Sequence, residues 1–314
     1  MKNYILIALK GYAMGMANVI PGVSGGTIAL IAGIFERLIN AIKSFNIKAI
    51  KLLFSFKFKE FVQHTDLKFL ISLFIGVLLA IFTLAKLLEY LFEYYSIYVW
   101  AYFFGLILAS IYFVGKTITK LNISVIVVFL LGTAIALSIS FMKPAVQNEN
   151  LFYIFICGVL GISSMILPGI SGSFVLILLG NYELIVIESI TQLRFDILIP
   201  FALGCGLGLL GFSYLLSWVF KRFRNETIAI LTGFILGSLL IIWPWKHTIY
   251  KTDALGELIL KAKGEPIIIG YDRYFPETLN AEVLIAFGFM FIGILSIWFI
   301  EKMATKENKT TEKV

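Results

Sequence analysis

Two stretches of this 314-residue chain set the same small residues in apolar surroundings: PGVSGGT at 21–27 and PGISGSF at 168–174. Serine hydroxyls among glycines, just past a proline, are the parts from which a helix N-terminus builds an anion site. Pro21 and Pro168 donate no i→i−4 hydrogen bond, and Gly22 and Gly169 beside them weaken helix on both sides. Beyond each break a new half-helix opens, and its first amides have no partner within it. Gly25, Gly26 and Thr27 in one copy, and Gly172 and Ser173 in the other, present those amides behind little side chain. Ser24 and Ser171 can cap the half-helix or donate a hydroxyl, and the positive dipole end adds attraction for an anion. The plain alternative is that small residues merely let membrane helices pack closely. A single copy leaves the two readings balanced, and the doubling favours binding.

Other polar residues stand near the motifs. Glu36 and Glu183 come nine residues after Thr27 and Phe174, at the far ends of the second half-helices. A carboxylate in a span is costly, which suits proton coupling or contact with a cationic group. An interfacial carboxylate at the membrane surface fits the position equally well. Arg37 can pair with a phosphate, yet Leu184 stands in its place in the second copy. Asn18 is polar in an apolar half-helix and suits a cavity lining, with Met165 as its counterpart. Lys86, with Glu89 one turn on, is explained by snorkelling to an interface, and the Gly204–Gly211 glycines by close helix packing.

These residues need a membrane scaffold. The chain is 60% hydrophobic and 14% charged, with mean hydropathy +0.94, far from the quarter-charged composition of soluble domains. The net charge of +7 sits in short loops between apolar spans, which argues for membrane orientation and against nucleic acid. Cys157 and Cys205 lack partner spacing, and the chain's two histidines, His64 and His247, lie in loops, so neither disulfide nor metal centre is expected. No cofactor and no catalytic group is implied. The N-terminus lacks an A-x-A-like cleavage site and reads as mature structure.

Six stretches, about 69–92, 97–115, 121–142, 197–220, 227–243 and 283–300, are long enough to cross about 30 Å of hydrocarbon. Two more, about 11–39 and 151–187, are the ones the motifs interrupt, and they read as re-entrant pairs of half-helices. Kinked full spans are the alternative. Loop charge supports the re-entrant count. The basic 37–68 segment, KTITK at 116–120, KRFR at 221–224 and the Lys-rich tail all fall inside. EYYS at 93–96, 143–150, 188–196 and the 244–282 loop all fall outside. The termini are then cytoplasmic, and IKAIKLLFSFKFKEF at 47–61 suggests an amphipathic helix on the inner leaflet.

The motifs belong to a longer repeat. Gly11, Pro21, Ser24, Gly33 and Glu36 recur 147 positions on at Gly158, Pro168, Ser171, Gly180 and Glu183. Further along the offset is 128, pairing Gly76 with Gly204 and GLILASI at 105–111 with GFILGSL at 233–239. The expected fold is an all-α polytopic membrane protein in one domain. It holds two inverted-topology repeats, about 1–142 and 151–300, each a broken hairpin plus three spans, with a tail from 301.

GMANVIPGVSGGTIALIAGIFERLI, paired with MILPGISGSFVLILLGNYELI, resembles a bacterial and archaeal membrane family of polyprenyl-phosphate (undecaprenyl-phosphate) translocases, formerly of unknown function. The similarity runs over essentially the whole chain. It implies transfer of the lipid carrier monophosphate from the outer to the inner leaflet of the cytoplasmic membrane, for cell-wall and surface-polymer synthesis. The family's motif residues fall on Pro21, Gly22, Ser24, Gly25, Gly26, Glu36 and Arg37, and on Pro168, Gly169, Ser171, Gly172 and Glu183. Ser173 departs from the first motif's second glycine, so the two halves need not bind equally. A lipid monophosphate carries about −1.5 to −2 charges, suited to two helix N-termini in turn, while the tail stays in lipid. Homo-oligomerisation stays open. Two rivals remain: an undecaprenyl-pyrophosphate phosphatase, whose PG-x-S-R-S loop has its Arg where this chain has Gly25 or Gly172, and an anion channel or exchanger.

Overall fold

The computed structural model of the chain describes residues 2–19, 24–142, 145–250 and 268–311. Helix α1 (Lys2–Val19) leads into the first motif, after which the chain resumes as the seven-residue α2 (Gly25–Ile31). After a sharp turn, α3 (Phe35–Lys43) leaves at 115° to α2. The amphipathic segment expected as one helix is two, α4 (Ile47–Phe54) and α5 (Phe58–His64), because Phe56 between them takes φ of 57°. The long α6 (Leu67–Gly115) is two spans joined at a kink at Tyr95, whose φ/ψ of −135°/33° is not helical. Helix α7 (Ile123–Phe141) is capped by the Asn122 side chain, which accepts from Val125 N–H.

The second half begins with α8 (Leu151–Ile166), passes the second motif, and resumes as α9 (Gly172–Leu178). Next come a π-helical turn at Glu183–Glu188 and a last α-helical turn, α10 (Ser189–Thr191). Then come α11 (Phe195–Arg222) and α12 (Arg224–Ser238). Within the 244–282 loop, strands β1 (Lys246–Tyr250) and β2 (Ile268–Arg273) pair antiparallel, so the all-α expectation needs this one amendment. Finally α13 (Ala281–Thr311) continues past the expected span into the tail.

Among the described residues, five segments are long and apolar enough to cross a membrane: Leu67–Leu84, Tyr90–Gly115, α7, α11 and Ala281–Phe299. Only 22% of Leu67–Leu84 is buried against protein, so most of its apolar side chains face outward, where only lipid suits them. The chain is a multi-pass, mainly helical membrane protein. The span expected at 227–243 is shorter: α12 stops after 15 residues at Ser238. Pro244 cannot continue a helix and biases Trp243 toward extended backbone.

The 147-residue repeat is one of backbone geometry. Helices α2 and α9 begin and end at matched positions, and each closes in the same Schellman turn. Gly33 (φ +69°) and Gly180 (φ +72°) occupy the left-handed position that favours glycine. Ile34 N–H reaches Ala29 O and Asn181 N–H reaches Leu176 O, both at 3.0 Å.

Packing repeats as well. Gly11 and Gly76 bring α1 against α6 with no room for a Cβ, as Gly158 and Gly204 bring α8 against α11. The later helices are exchanged between halves. In α7 Gly132 packs on α12 at Ile230, and in α13 Gly293 packs on α6 at Tyr102.

Polar contacts between loops gather at two ends. At one, Arg37 binds Asp66 through two bonds of 2.6 and 3.1 Å, Thr119 N–H reaches Asn225 at 3.0 Å, and Lys10 Nζ donates to Ala32 O at 3.0 Å. At the other, Arg194 pairs with Glu149 at 3.0 Å, and Asn148 and Asn181 exchange hydrogen bonds of 2.8 and 2.6 Å. So α1 and the end of α2 meet at the Asp66 end, while the start of α8 and the end of α9 meet at the Arg194 end.

Candidate functional site

The two motifs, more than a hundred residues apart in the chain, touch. Ser24, 4% exposed, is the N-cap of α2: its Oγ accepts from Gly26 N–H at 3.1 Å and donates to Leu167 O at 3.1 Å. Thr27, fully buried, accepts Gly169 N–H on Oγ1 at 3.0 Å. A Cβ at Gly26 would stand 2.6 Å from Ile166 O, so glycine is what lets the backbones approach. Gly169 takes φ of +82° and lies against Phe234 O of α12. Buried amides and carbonyls need partners, and each motif supplies the other's.

The two copies differ in how they finish their half-helix. In the first, Asn18 Oδ1 accepts Gly25 N–H at 2.9 Å, so Gly25, Gly26 and Thr27 amides are each met by protein. Asn18 is thus an amide acceptor for the motif. In the second, Met165 stands against Gly172 where Asn18 stands against Gly25, and a thioether is a poor acceptor. Ser171 occupies the N-cap position without a capping bond; its hydroxyl pairs with that of Ser173 at 2.8 Å. Ser24, Gly25, Gly26 and Thr27 are buried, whereas Ser171 is half-buried and Ser173 exposed around the buried Gly172. Pro168 is buried at the junction; Pro21 and Gly22 lie outside the described residues.

The charged candidates are not at the junction. Arg37 is committed to Asp66 and lies 4.3 Å over the Phe69 ring. Glu36 does contact a cationic group, Arg224, at 2.6 Å. Beside these two ion pairs, which tie α3 to the starts of α6 and α12, α3 is clasped on α11: Phe35 and Phe220 rings lie 5.8 Å apart, Ser217 Oγ donates to Asn40 Oδ1 at 3.0 Å, and Lys43 Nζ donates to Ser217 at 3.2 Å. The second copy has no such clasp among the described contacts. Leu184 and Ile185 pack within their own half, on Ile154, Cys157 and Leu176 and on Ile197 of α11. Glu183 is half-buried, and among the described residues no ion pair reaches it.

Sequence reasoning missed the clasp partners Arg224, Ser217 and Asp66, whose charge or hydroxyl alone carried no sign of a role. It also missed that Thr27 spans the two motifs. The offset itself was a signal, since two equal half-helices in one domain invite a shared interface.

A model of the family described as undecaprenyl phosphate translocase-like matches residues 14–259. A polyprenyl-phosphate transporter of Vibrio cholerae is 38% identical over 310 residues, covering 97% of this chain and 98% of that protein. One of Staphylococcus aureus is 33% identical over 254 residues, covering 75% of this chain and 85% of that protein. No solved structure matches the chain.

Proposed function

Because the chain belongs to the undecaprenyl phosphate translocase-like family, we propose that it carries polyprenyl phosphate across the cytoplasmic membrane, from the outer to the inner leaflet. This returns the lipid carrier for another round of surface-polymer synthesis. The observation that carries the reading is the junction of Ser24 and Thr27 with Leu167 and Gly169, with the first motif buried and the second open only at the half-buried Ser171 and the exposed Ser173.

The mechanism we infer is alternating access between two re-entrant hairpins of inverted repeats, entering from opposite faces. Lys10 at Ala32 supports entry and exit at one face for the first hairpin; Asn148 at Asn181 supports it for the second, at the other face. The Asp66 end is cytoplasmic in this reading, because its loops carry the excess of Lys and Arg. The structure is then outward-facing. The α3–α11 clasp closes the inner side, and the second motif awaits the phosphate with Ser171, Ser173 and the Gly172 amide. The isoprenoid tail remains in lipid while the headgroup passes between half-helices. Movement inward brings the phosphate to Ser24, Gly25 and Gly26 as the clasp opens. Glu183, half-buried and without an ion-pair partner among the described residues, is the better-placed carboxylate for proton coupling, since Glu36 is held by Arg224.

Hydrolysis has less support. Neither motif has an Arg at the position that would hold a diphosphate, and the family relatives are named as transporters.

Reconstituted vesicles with labelled polyprenyl phosphate provide the test. Wild type moves the lipid between leaflets, and Ser173→Arg, at an exposed position that tolerates bulk, reduces movement at least tenfold while the protein stays monodisperse. Movement unaffected by Ser173→Arg, or none by wild type, would sink the reading.

A further inference from the structure

The β-ribbon carries two cations that the transport mechanism above leaves unused. Lys246 and Arg273 are direct partners in the antiparallel register, so they leave one face of the ribbon with Cβ atoms about 5 Å apart. Lys246 Nζ donates to Ile241 O at 2.7 Å and lies 3.5 Å from the Trp100 ring centroid and 4.5 Å from that of Tyr271. Arg273 Nε donates to Leu240 O at 2.7 Å, with its guanidinium 5.9 Å from the Phe141 ring. Among the described residues, no carboxylate pairs with either.

Two like charges directly opposite one another repel, and desolvation adds to the cost of each. Burial, with the Arg273 charge second, pushes the Lys246 ammonium down to about 7, and burial also pulls Arg273 below its usual range. Part of the arrangement is structural, because cations suit the carbonyls beyond the C-terminus of α12. One cation would serve that purpose. The second adds repulsion that a doubly charged anion removes. Each carbonyl bond uses one N–H of a group that has several, which leaves donors for such an anion.

Helix α12 gives the position. Its Arg224 end holds Glu36, its Phe234 lies against Gly169, and Leu240 and Ile241 just beyond its other end hold the cations. From Phe234 to the helix end at Ser238 is about 6 Å at 1.5 Å per residue, and Leu240 and Ile241 lie past it. The cation pair therefore lies beyond the motif junction, on the side away from the α3–α11 clasp.

We propose that Lys246 and Arg273 form a receiving site for a phosphate monoester at the outer mouth, which the headgroup occupies before it reaches Ser171 and Ser173. This rests on the transport reading for its place in a sequence of steps, though not for its chemistry.

The test uses the full chain in zwitterionic nanodiscs, titrated calorimetrically with dodecyl phosphate and, as the uncharged control, dodecanol. Lys246→Gln and Arg273→Gln each weaken dodecyl phosphate binding about tenfold, Lys246→Arg stays within about threefold of wild type, and dodecanol binding is the same in all. Affinity rises through about pH 6 as the monoester gains its second charge. It falls as the Lys246 ammonium, which faces Arg273, Tyr271 and Trp100, deprotonates near 7; Lys246→Arg removes that fall. In vesicles, the two Gln variants raise the lipid concentration for half-maximal transport. If both Gln variants bind dodecyl phosphate like wild type, whether or not their melting temperatures drop, the cations only cap α12 and the proposal is overturned. If binding depends on Lys246 yet wild type moves no lipid phosphate, the receiving site stands and the transport reading fails.

Discussion

The two motifs are built to one plan and finished differently. In the first, every early amide of the half-helix is met by protein, through Asn18, the Ser24 hydroxyl and the Ser24 carbonyl. In the second, Met165 replaces the acceptor, Ser171 turns to Ser173, and the next segment is a π-helical turn rather than an α-helix. π-Helical segments are strained and gather at functional sites. The first hairpin is also clasped to α11, whereas the second packs within its own half. Duplicated sequence thus does not require duplicated state. In the alternating-access mechanism proposed above, one half is closed while the other is open, and these hydrogen bonds are what distinguish the two motifs.

The comparison can be broken most forcibly at the glycines. Gly26→Leu drives a side chain into Ile166 O, with an expected loss of about 3 kcal/mol and of transport. Gly211→Leu, at a position with open space around it, leaves the unfolding midpoint in detergent unchanged. Thr27→Val strands the buried Gly169 N–H, for about 1–3 kcal/mol in chemical denaturation. A smaller effect separates the serines. Ser24→Ala loses a cap and costs about 1 kcal/mol, whereas Ser171→Ala, with no cap to lose, stays within about 0.5 kcal/mol. Equal losses at both serines would contradict the asymmetry.

Met165→Asn sharpens the comparison from the other side. It places an acceptor beside Gly172 as Asn18 is placed beside Gly25, so stability changes by under about 0.5 kcal/mol while lipid-phosphate movement in vesicles falls several-fold. The smallest energetic effect belongs to Glu36→Gln. Its ion pair with Arg224 is 42% and 59% exposed, and such pairs contribute at most about 1 kcal/mol. Its readout is conformational. In a background with Cys157 and Cys205 replaced, Thr27→Cys becomes reactive to a thiol reagent from the Asp66 end only once Glu36→Gln loosens the clasp.

Much of the architecture is legible along the chain. Pro, Gly and Ser act through local backbone rules, so the breaks, the Ser24 cap position and the glycines at 33 and 180 can be read directly, and so can the apolar spans. The amphipathic helix at 47–61 fails at Phe56, whose left-handed φ no local pattern announces. The helix expected over 227–243 is shorter, ending at Ser238, because an apolar run marks burial and not where a helix stops. Arg224, Asp66 and Lys246 read only as loop charges, since a charge's partner lies elsewhere in the chain.

By itself, the sequence determined a membrane-embedded, duplicated architecture with a broken helix in each half, because hydropathy, repeat spacing and proline act over a few residues. Only the tertiary structure decided that the two motifs touch, that Thr27 bridges them, and that the first motif's early amides are met by protein while Ser173 of the second stays exposed. The first two of those outcomes depend on contacts across more than a hundred residues of chain, which identical local motifs leave undetermined.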